Sequence, residues 1–215
     1  MSPSAMTYWA EAFPILLKGA QMTVGLTALG ITLATFIGLT VALMRLSRIR
    51  LLEWLAYAYA LAIRGTPLLV QIFIVWYVIN FPNRFLSGVI ALGANYGAYM
   101  SEIIRAAIES IDKGQMEAAR SLGMSYGLAM RRVIIPQTYK RLIPPLGNEF
   151  IAMLKDSSLV SVVGIAELLR SGSTFALRTF EFSIYYEVAL FYLALTSIFS
   201  VIAYYGERAA GVHER

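Results

Sequence analysis

A long polar segment between apolar runs is the strongest constraint on the fold of this chain. Residues 112–141 read DKGQMEAARSLGMSYGLAMRRVIIPQTYKR, whereas apolar side chains make up 58% of the whole sequence and charged side chains 14%. The apolar runs on both sides are long enough to cross a bilayer as helices, which satisfy their own backbone hydrogen bonds in lipid. The sequence therefore predicts an all-α membrane protein in which residues 112–141 form a loop outside the bilayer.

Five apolar stretches approach or exceed the roughly 20 residues that span a bilayer as a helix. They comprise residues 20–44, 54–81, 85–108, 143–169 and 184–205, of which the fourth is broken and only partly apolar. Residues 4–18 precede the first stretch and are predicted to form a short helix at the membrane surface. The sequence shows no internal repeat and no soluble module, so we expect a single membrane domain over residues 1–215.

The distribution of Lys and Arg predicts the orientation of the protein. If the N-terminus lies outside, twelve of these residues fall in the inner loops and tail: Arg45, Arg48, Arg50, Arg105, Lys113, Arg120, Arg131, Arg132, Lys140, Arg141, Arg208 and Arg215. The outer loops then hold only Arg84, Arg170 and Arg178. Because basic residues concentrate in cytoplasmic loops, we expect an outer N-terminus, a cytoplasmic C-terminus and a cytoplasmic loop at residues 112–141.

Composition excludes several classes of function. Without cysteine the chain has no disulfide or thiolate metal site, and its single histidine, His213, cannot build a metal centre. The net charge of +5 does not indicate nucleic-acid binding, because the basic residues lie in short loops without interleaved aromatic residues. Five spans do not divide into the paired halves of an inverted repeat, which disfavours a secondary carrier.

The polar loop carries its own helix signals. Asp112 with Gln115 three residues later is typical of a capped helix start, Gly123 of a turn, and Ser125 of a second helix start. Pro136 is predicted to end the second helix. We therefore expect two short helices on either side of Gly123.

The spacing of five residues in this loop matches the EAA motif: Glu117, Ala118, Ala119, Gly123 and Pro136. The segment thus resembles the loop, with its coupling helix, that membrane subunits of bacterial ABC importers present to an ATPase. The resemblance implies an ATPase-docking site made by these five residues together with Arg131, with Ala118 and Ala119 as a low-profile face. The alternative is an ordinary loop whose helices fold against the protein's own bundle.

Four further stretches are similar to the polar amino acid permease branch of these importers, which includes histidine, arginine, glutamine and cystine systems. They are residues 64–71, 98–107, 147–151 and 155–160. The resemblance implies a multi-pass protein of a bacterial inner (plasma) membrane that works with two ATP-binding cassette subunits, a second copy or paralogue of itself, and an extracytoplasmic amino-acid-binding protein. The sequence lacks a Walker A loop, so we expect no enzyme activity and no cofactor in this chain, with ATP–Mg bound by the partner subunits.

Four ionisable residues fall within the predicted spans, where each costs roughly 2.5 to 3.5 kcal/mol, and they are therefore candidates for function: Arg64, Glu102, Glu149 and Asp156. Glu102 and Arg105 are three residues apart and are expected to pair on one helix.

Arg64 stands just before a predicted helix break. Pro67 has no amide hydrogen and frees the carbonyl of Ile63, so Arg64 and Thr66 lie where exposed backbone dipoles can bind a substrate. The alternative is that Arg64 extends to the cytoplasmic headgroups.

Glu149 and Asp156 form the densest polar cluster at membrane depth, together with Ser157 and Ser158. Seven residues apart on a helix, the two carboxylates project within about 20° of one another. A break is predicted just before them at Pro144, Pro145 and Gly147. The alternative is an ion pair with Lys155 or with a second subunit.

These features predict an importer subunit whose Glu149 selects a cationic amino acid of the arginine, lysine or histidine type. Glutamine, glutamate and cystine are the alternative substrates of the same machinery. A self-contained channel or secondary carrier, or a scaffold that merely anchors an ATPase, are the rival functions.

The predicted orientation is testable because the native chain contains no cysteine. We expect Ser125→Cys to react with a membrane-impermeant thiol reagent only from the cytoplasmic side, and Ser173→Cys only from outside, because basic residues hold the loop inside. Labelling of intact cells and of inverted vesicles measures both. The reverse pattern would contradict the orientation.

Overall fold

The computed structural model describes residues 3–47 and 49–211, with side chains from residue 8 onward. Arg48 and Arg215 from the charge count, and His213, lie outside the described residues. All regular secondary structure in this described part of the chain is helical, which agrees with the predicted fold class.

The first helix, α1, is continuous from Pro3 to Arg45. The prediction of a separate surface helix at residues 4–18 is therefore wrong. Ala12, Leu16 and Ala20 are buried in a cluster with residues of the two C-terminal helices, so this end of α1 packs on protein. That packing explains why the helix passes through Pro14 despite the missing hydrogen bond.

Helix α4, Arg84–Glu109, packs along α1 in the centre of the fold. Asn83 starts it by accepting a hydrogen bond from the amide of Leu86 at 3.1 Å. Glycines bring the two backbones close, since a Cβ atom at Gly93 would lie 2.7 Å from the side chain of Leu33.

The predicted span at residues 54–81 is broken. Helix α2, Arg50–Arg64, meets helix α3, Leu68–Phe73, at an angle of 103°, and α3 continues as a π-helical turn, Ile74–Ile79. The break predicted at Pro67 is confirmed, because Pro67 itself is extended and precedes the first residue of α3.

The polar loop begins with helix α5, Lys113–Ser121, and turns at Gly123 with φ of 85°. The predicted caps are confirmed: Asp112 accepts from the amide of Gly114 at 2.6 Å, and Ser125 accepts from the amide of Leu128 at 3.4 Å. The side chain of Gln115 does not complete a capping box; its Oε1 instead accepts from Gln137.

The second loop helix does not end at Pro136, so that prediction is wrong. Helix α6, Tyr126–Ala129, runs through a π-helical turn, Met130–Ile134, into helix α7, Ile135–Asp156. Pro136 lies in the first turn of α7, where hydrogen bonding changes from the π to the α pattern and a missing amide hydrogen is tolerated.

The break predicted at Pro144, Pro145 and Gly147 is also wrong, because α7 continues through all three residues. This helix packs against α1, α4 and the last helix at once, and that packing outweighs two lost backbone bonds. The break comes after Asp156 instead. A 3₁₀ segment, Ser157–Val163, and Gly164 with φ of 82° follow there, so residues 143–169 are not one helix.

Two helices complete the described fold: α8, Leu168–Thr179, and α9, Ile184–Ala209. Among the described helices, Tyr8–Arg45 and Ile184–Ala209 are each long and apolar enough to cross a membrane, and the bent pair of α2 with α3 is a third candidate. The count of five spans and the orientation stay predictions.

Glu167 is fully buried, and the sequence analysis missed it. Its carboxylate accepts hydrogen bonds from Tyr192 Oη at 2.6 Å and from the amides of Leu169 and Arg170 at 2.9 and 2.7 Å. Thr23 Oγ1 of α1 accepts from the amide of Leu168 at 3.1 Å. The cluster therefore joins α1, α8 and α9.

We expect Glu167→Ala to lower the free energy of unfolding by roughly 3 kcal/mol or more, because it leaves several buried donors without an acceptor. Thermal unfolding of the purified protein in detergent measures this. The control is Glu181→Ala at an exposed position, with an expected change below about 0.5 kcal/mol. Equal midpoints for both variants would contradict the structural role of Glu167.

Candidate functional site

A polar cavity of about 360 Å³ opens where the break between α2 and α3 faces α4 and α7. The break contributes Thr66, Pro67 and Leu68. The other lining residues come from α4 and α7: Asn95, Tyr96, Tyr99, Glu149, Ala152 and Asp156. This acidic pocket brings together three residues that the sequence predicted for substrate binding, namely Thr66, Glu149 and Asp156.

Helix α7 places Glu149 and Asp156 on one face, as their spacing of seven residues predicts. Asp156 Oδ2 accepts a hydrogen bond from Tyr96 Oη of α4 at 2.8 Å. Because α7 is continuous through Pro144 and Pro145, helix geometry rather than a break fixes the position of both carboxylates.

No basic side chain neutralises these carboxylates among the described residues. Neither Glu149 nor Asp156 takes part in an ion pair there, and none of the residues that line the acidic pocket is Lys or Arg. Lys155, the partner proposed in the alternative interpretation, is exposed. Two half-buried carboxylates that face one cavity repel each other, and a cation between them would relieve that repulsion.

Gln71 satisfies the backbone at the break. Its Nε2 donates to the carbonyl oxygens of Ile63 at 2.7 Å and Thr66 at 3.1 Å, and to Thr66 Oγ1 at 2.9 Å. Its Oε1 accepts from Asn95 Nδ2 at 2.9 Å. Sequence reasoning gave neither amide a role, although a polar residue inside each apolar run was the available signal.

Arg64 does not line the acidic pocket, contrary to its predicted substrate role. Glu102 Oε1 lies 2.5 Å from Arg45 and 3.6 Å from Arg64, and Glu102 Oε2 lies 2.8 Å from Arg105. The predicted pair of Glu102 with Arg105 is therefore confirmed as part of a larger cluster. The Arg64 guanidinium also stands 5.5 Å from the ring centroid of Tyr99, which itself lines the acidic pocket.

Two serines predicted for substrate binding also lie away from the acidic pocket. Ser157 is buried, and its hydroxyl donates to the carbonyl of Leu154 at 2.8 Å, one turn back on α7. Ser158 is not among the residues that line the pocket. Because the chain changes from an α-helix to a 3₁₀ helix at Ser157, both side chains point in directions other than those of a continued α-helix.

The polar loop exposes most of the residues predicted for docking. Glu117, Ala118, Gly123, Arg131 and Pro136 are all exposed. Ala119 is buried, so the predicted low-profile face made by Ala118 and Ala119 together is wrong. Ala119 is turned inward because neighbouring positions on a helix face different directions, and α5 packs against α6 and the π-helical turn that follows it.

Arg141 fastens the loop to the bundle. Its Nη1 donates to the carbonyl and the hydroxyl oxygen of Ser110, at 2.5 and 2.7 Å, where α4 ends. Leu122, 80% exposed, is a further apolar side chain on the outer surface of the loop. The loop thus has a fixed base and an open outer face, as a docking surface requires.

The family described as binding-protein-dependent transport system inner membrane component matches residues 6–211. The L-cystine transport system permease protein TcyB of Bacillus subtilis (strain 168) is 42% identical over 204 residues, 91% of this chain and 86% of that protein. The glutamine transport system permease protein GlnP of Escherichia coli (strain K12) is 36% identical, with 89% and 90% covered. The arginine transport system permease protein ArtQ of Bacillus subtilis (strain 168) is 35% identical, with 79% and 80% covered.

A solved structure supports the same relationship. The crystal structure of an amino acid ABC transporter with histidines aligns with a TM-score of 0.89 at 42% identity, covering 97% of this chain and 99% of that one. The shared fold and sequence therefore extend over nearly the whole chain.

Proposed function

The chain belongs to the family of binding-protein-dependent transport system inner membrane components, and on that premise we propose that it carries a cationic L-amino acid of the arginine, lysine or histidine type into the cell. It is the membrane-spanning permease subunit of an ATP-driven importer. Relatives named for cystine, glutamine and arginine transport support an amino acid as the cargo.

The work is divided among several proteins. This chain is not an enzyme, because importers of this family hydrolyse ATP on separate ATPase subunits. In our proposal two such subunits bind ATP–Mg, a second copy or paralogue of the chain completes the path through the bacterial inner membrane, and an extracytoplasmic binding protein delivers the amino acid. A closed symmetric assembly is an economical way to surround a path with such subunits.

The preference for a cation rests on the uncompensated charge of the acidic pocket. Glu149 and Asp156 face the same cavity of about 360 Å³ without a basic partner among the described residues. Arginine and lysine carry a second cationic group besides the α-ammonium, and histidine does so when its imidazole is protonated, so one such molecule offers a cationic group to each carboxylate.

Cystine is the strongest alternative substrate. It also carries two ammonium groups, and the relative TcyB is named for its transport. Glutamine has one ammonium group and leaves one carboxylate unpaired, and glutamate adds a further negative charge. Substrate-stimulated ATPase activity of the reconstituted complex, compared across these amino acids, separates the candidates.

Helix α7 supports a mechanical route from ATP to the acidic pocket. Its N-terminal end lies in the polar loop, where Arg141 donates a hydrogen bond to Ser110 at the end of α4. Its C-terminal part carries Glu149 and Asp156. From Ile135 to Glu149 the rise along the helix is roughly 21 Å at 1.5 Å per residue. In our proposal, closure of the ATPases moves the loop, and α7 carries the motion to the pocket as the protein changes from inward-facing to outward-facing.

We expect Glu149→Gln to raise the concentration of arginine or lysine needed for half-maximal stimulation of ATPase activity by about tenfold to a hundredfold. The substitution keeps the shape of the side chain but deletes a charged partner worth roughly 1.5 to 3 kcal/mol. ATPase assays across the amino acids measure the effect, and basal activity should change far less. Glu181→Gln, at an exposed position, is the control. An unchanged ranking of substrates in Glu149→Gln would refute this role for Glu149.

We expect Gly123→Asp to abolish coupling while leaving the protein in the membrane. Gly123 has φ of 85°, where a side chain is strained whatever the space around it, so the substitution distorts the turn of the docking loop. Co-purification of the ATPase and amino acid uptake are the two measurements. Gly206→Asp is the matched control, since Gly206 is exposed with no atoms near its Cβ position and no positive φ. Normal uptake by Gly123→Asp would show that the loop does not transmit the motion.

A further inference from the structure

Two buried amides form a hydrogen-bonded pair behind the acidic pocket. Gln71 of α3 and Asn95 of α4 are 8% and 5% exposed, and Asn95 also lines the pocket. An amide has a donor end and an acceptor end, so the orientation of each one decides whether the pocket receives N–H groups or an oxygen.

The helix break fixes the orientation of Gln71. The carbonyl oxygens of Ile63 and Thr66 have no hydrogen to donate, so the group that contacts them at 2.7 and 3.1 Å must be the Nε2 donor of Gln71. The Thr66 hydroxyl fits the same orientation, because it donates to the carbonyl of Ala62 at 2.8 Å and accepts from Gln71. Gln71 Oε1 is therefore the end that faces α4.

The orientation of Asn95 follows from that of Gln71. Only the Nδ2 donor of Asn95 can bind Gln71 Oε1, at 2.9 Å, so Asn95 Oδ1 remains as an acceptor that the pair does not use. Among the residues that the structure describes, none donates a hydrogen bond to this oxygen. A flip of Asn95 would place two oxygens together and leave a buried donor unused.

We infer that Gln71 is a positioning residue that holds Asn95 Oδ1 as a third acceptor, beside Glu149 and Asp156, for a primary ammonium group of the substrate. This inference rests on the proposed function and adds the chemical group that is recognised. An ammonium group has three N–H donors and can bind Asn95 Oδ1 together with one of the two carboxylates, which leaves the other carboxylate for the second cationic group of the substrate. The helix break at Pro67 therefore contributes to selectivity for an amine, because Gln71 binds the backbone there and orients Asn95.

Direct binding to the full-length protein in lipid nanodiscs tests the inference without the binding protein. The first probe pair is L-arginine and 5-guanidinopentanoic acid, which lacks only the α-ammonium group. The second pair is L-glutamine and glutaramic acid, related in the same way. The measured quantity is the ratio of the two dissociation constants within a pair, because a general loss of structure weakens both ligands alike.

We expect the wild-type protein to prefer the amine-bearing member of a pair, and Gln71→Met to reduce that preference about tenfold, because Asn95 can then rotate its donor into the pocket. Asn95→Leu should reduce it similarly without disturbing the carbonyls at the break. Gln71→Met should have no further effect on the ratio in the Asn95→Leu background, because Gln71 acts through Asn95. Gln137→Met, at a glutamine of the polar loop, is the matched control and should leave the ratio unchanged.

Equal weakening of both members of a pair by Gln71→Met would reduce Gln71 to a purely structural role and overturn the inference, as would an unchanged ratio in Asn95→Leu. Additive effects in the double variant would overturn the claim that Gln71 acts through Asn95. Wild-type protein that binds neither arginine nor glutamine would instead overturn the proposed function, and the inference with it.

Discussion

A helix that breaks must find new partners for its backbone groups, and in this protein the side chain of Gln71 supplies two of them. Pro67 leaves the carbonyl of Ile63 without its helical donor, and Gln71 supplies one at 2.7 Å. This bond satisfies a backbone group that the sharp bend between α2 and α3 leaves without its helical partner. The bend in turn opens a polar space against α4 and α7, where Glu149 and Asp156 lie without basic partners among the described residues.

The second constraint is that α7 does not break. A helix interrupted at Pro144 and Pro145 would separate the polar loop from the acidic pocket, whereas the observed helix is continuous from one to the other. Packing against three neighbouring helices holds this helix together, and Arg141 ties its loop end to α4. In the proposed function, the same helix supplies the charge that favours a cationic amino acid and the path along which the loop can act on that charge.

The sequence was sufficient where local chemistry decides the outcome. Hydropathy gave the helical membrane class, Pro67 gave the break, and a spacing of seven residues put both carboxylates in one pocket. The sequence did not predict the features that depend on contacts between residues distant in the chain. Packing of its N-terminal half against α8 and α9 keeps α1 a single helix. Glu167 caps α8 and also accepts a hydrogen bond from Tyr192 of α9, which is distant in the sequence. The link from Arg64 to Glu102 joins α2 to α4, and no spacing within one helix predicts it.

We propose that the chain moves an amino acid only when ATPase subunits act on its polar loop. The most direct measurement is uptake of radiolabelled L-arginine into proteoliposomes that contain the chain, its ATPase subunits and a binding protein, with ATP supplied on the side of α5 or withheld. We expect uptake only with ATP on that side and only with the ATPase subunits present. Uptake by the chain alone, driven by an ion or substrate gradient, would contradict it and identify a self-contained carrier.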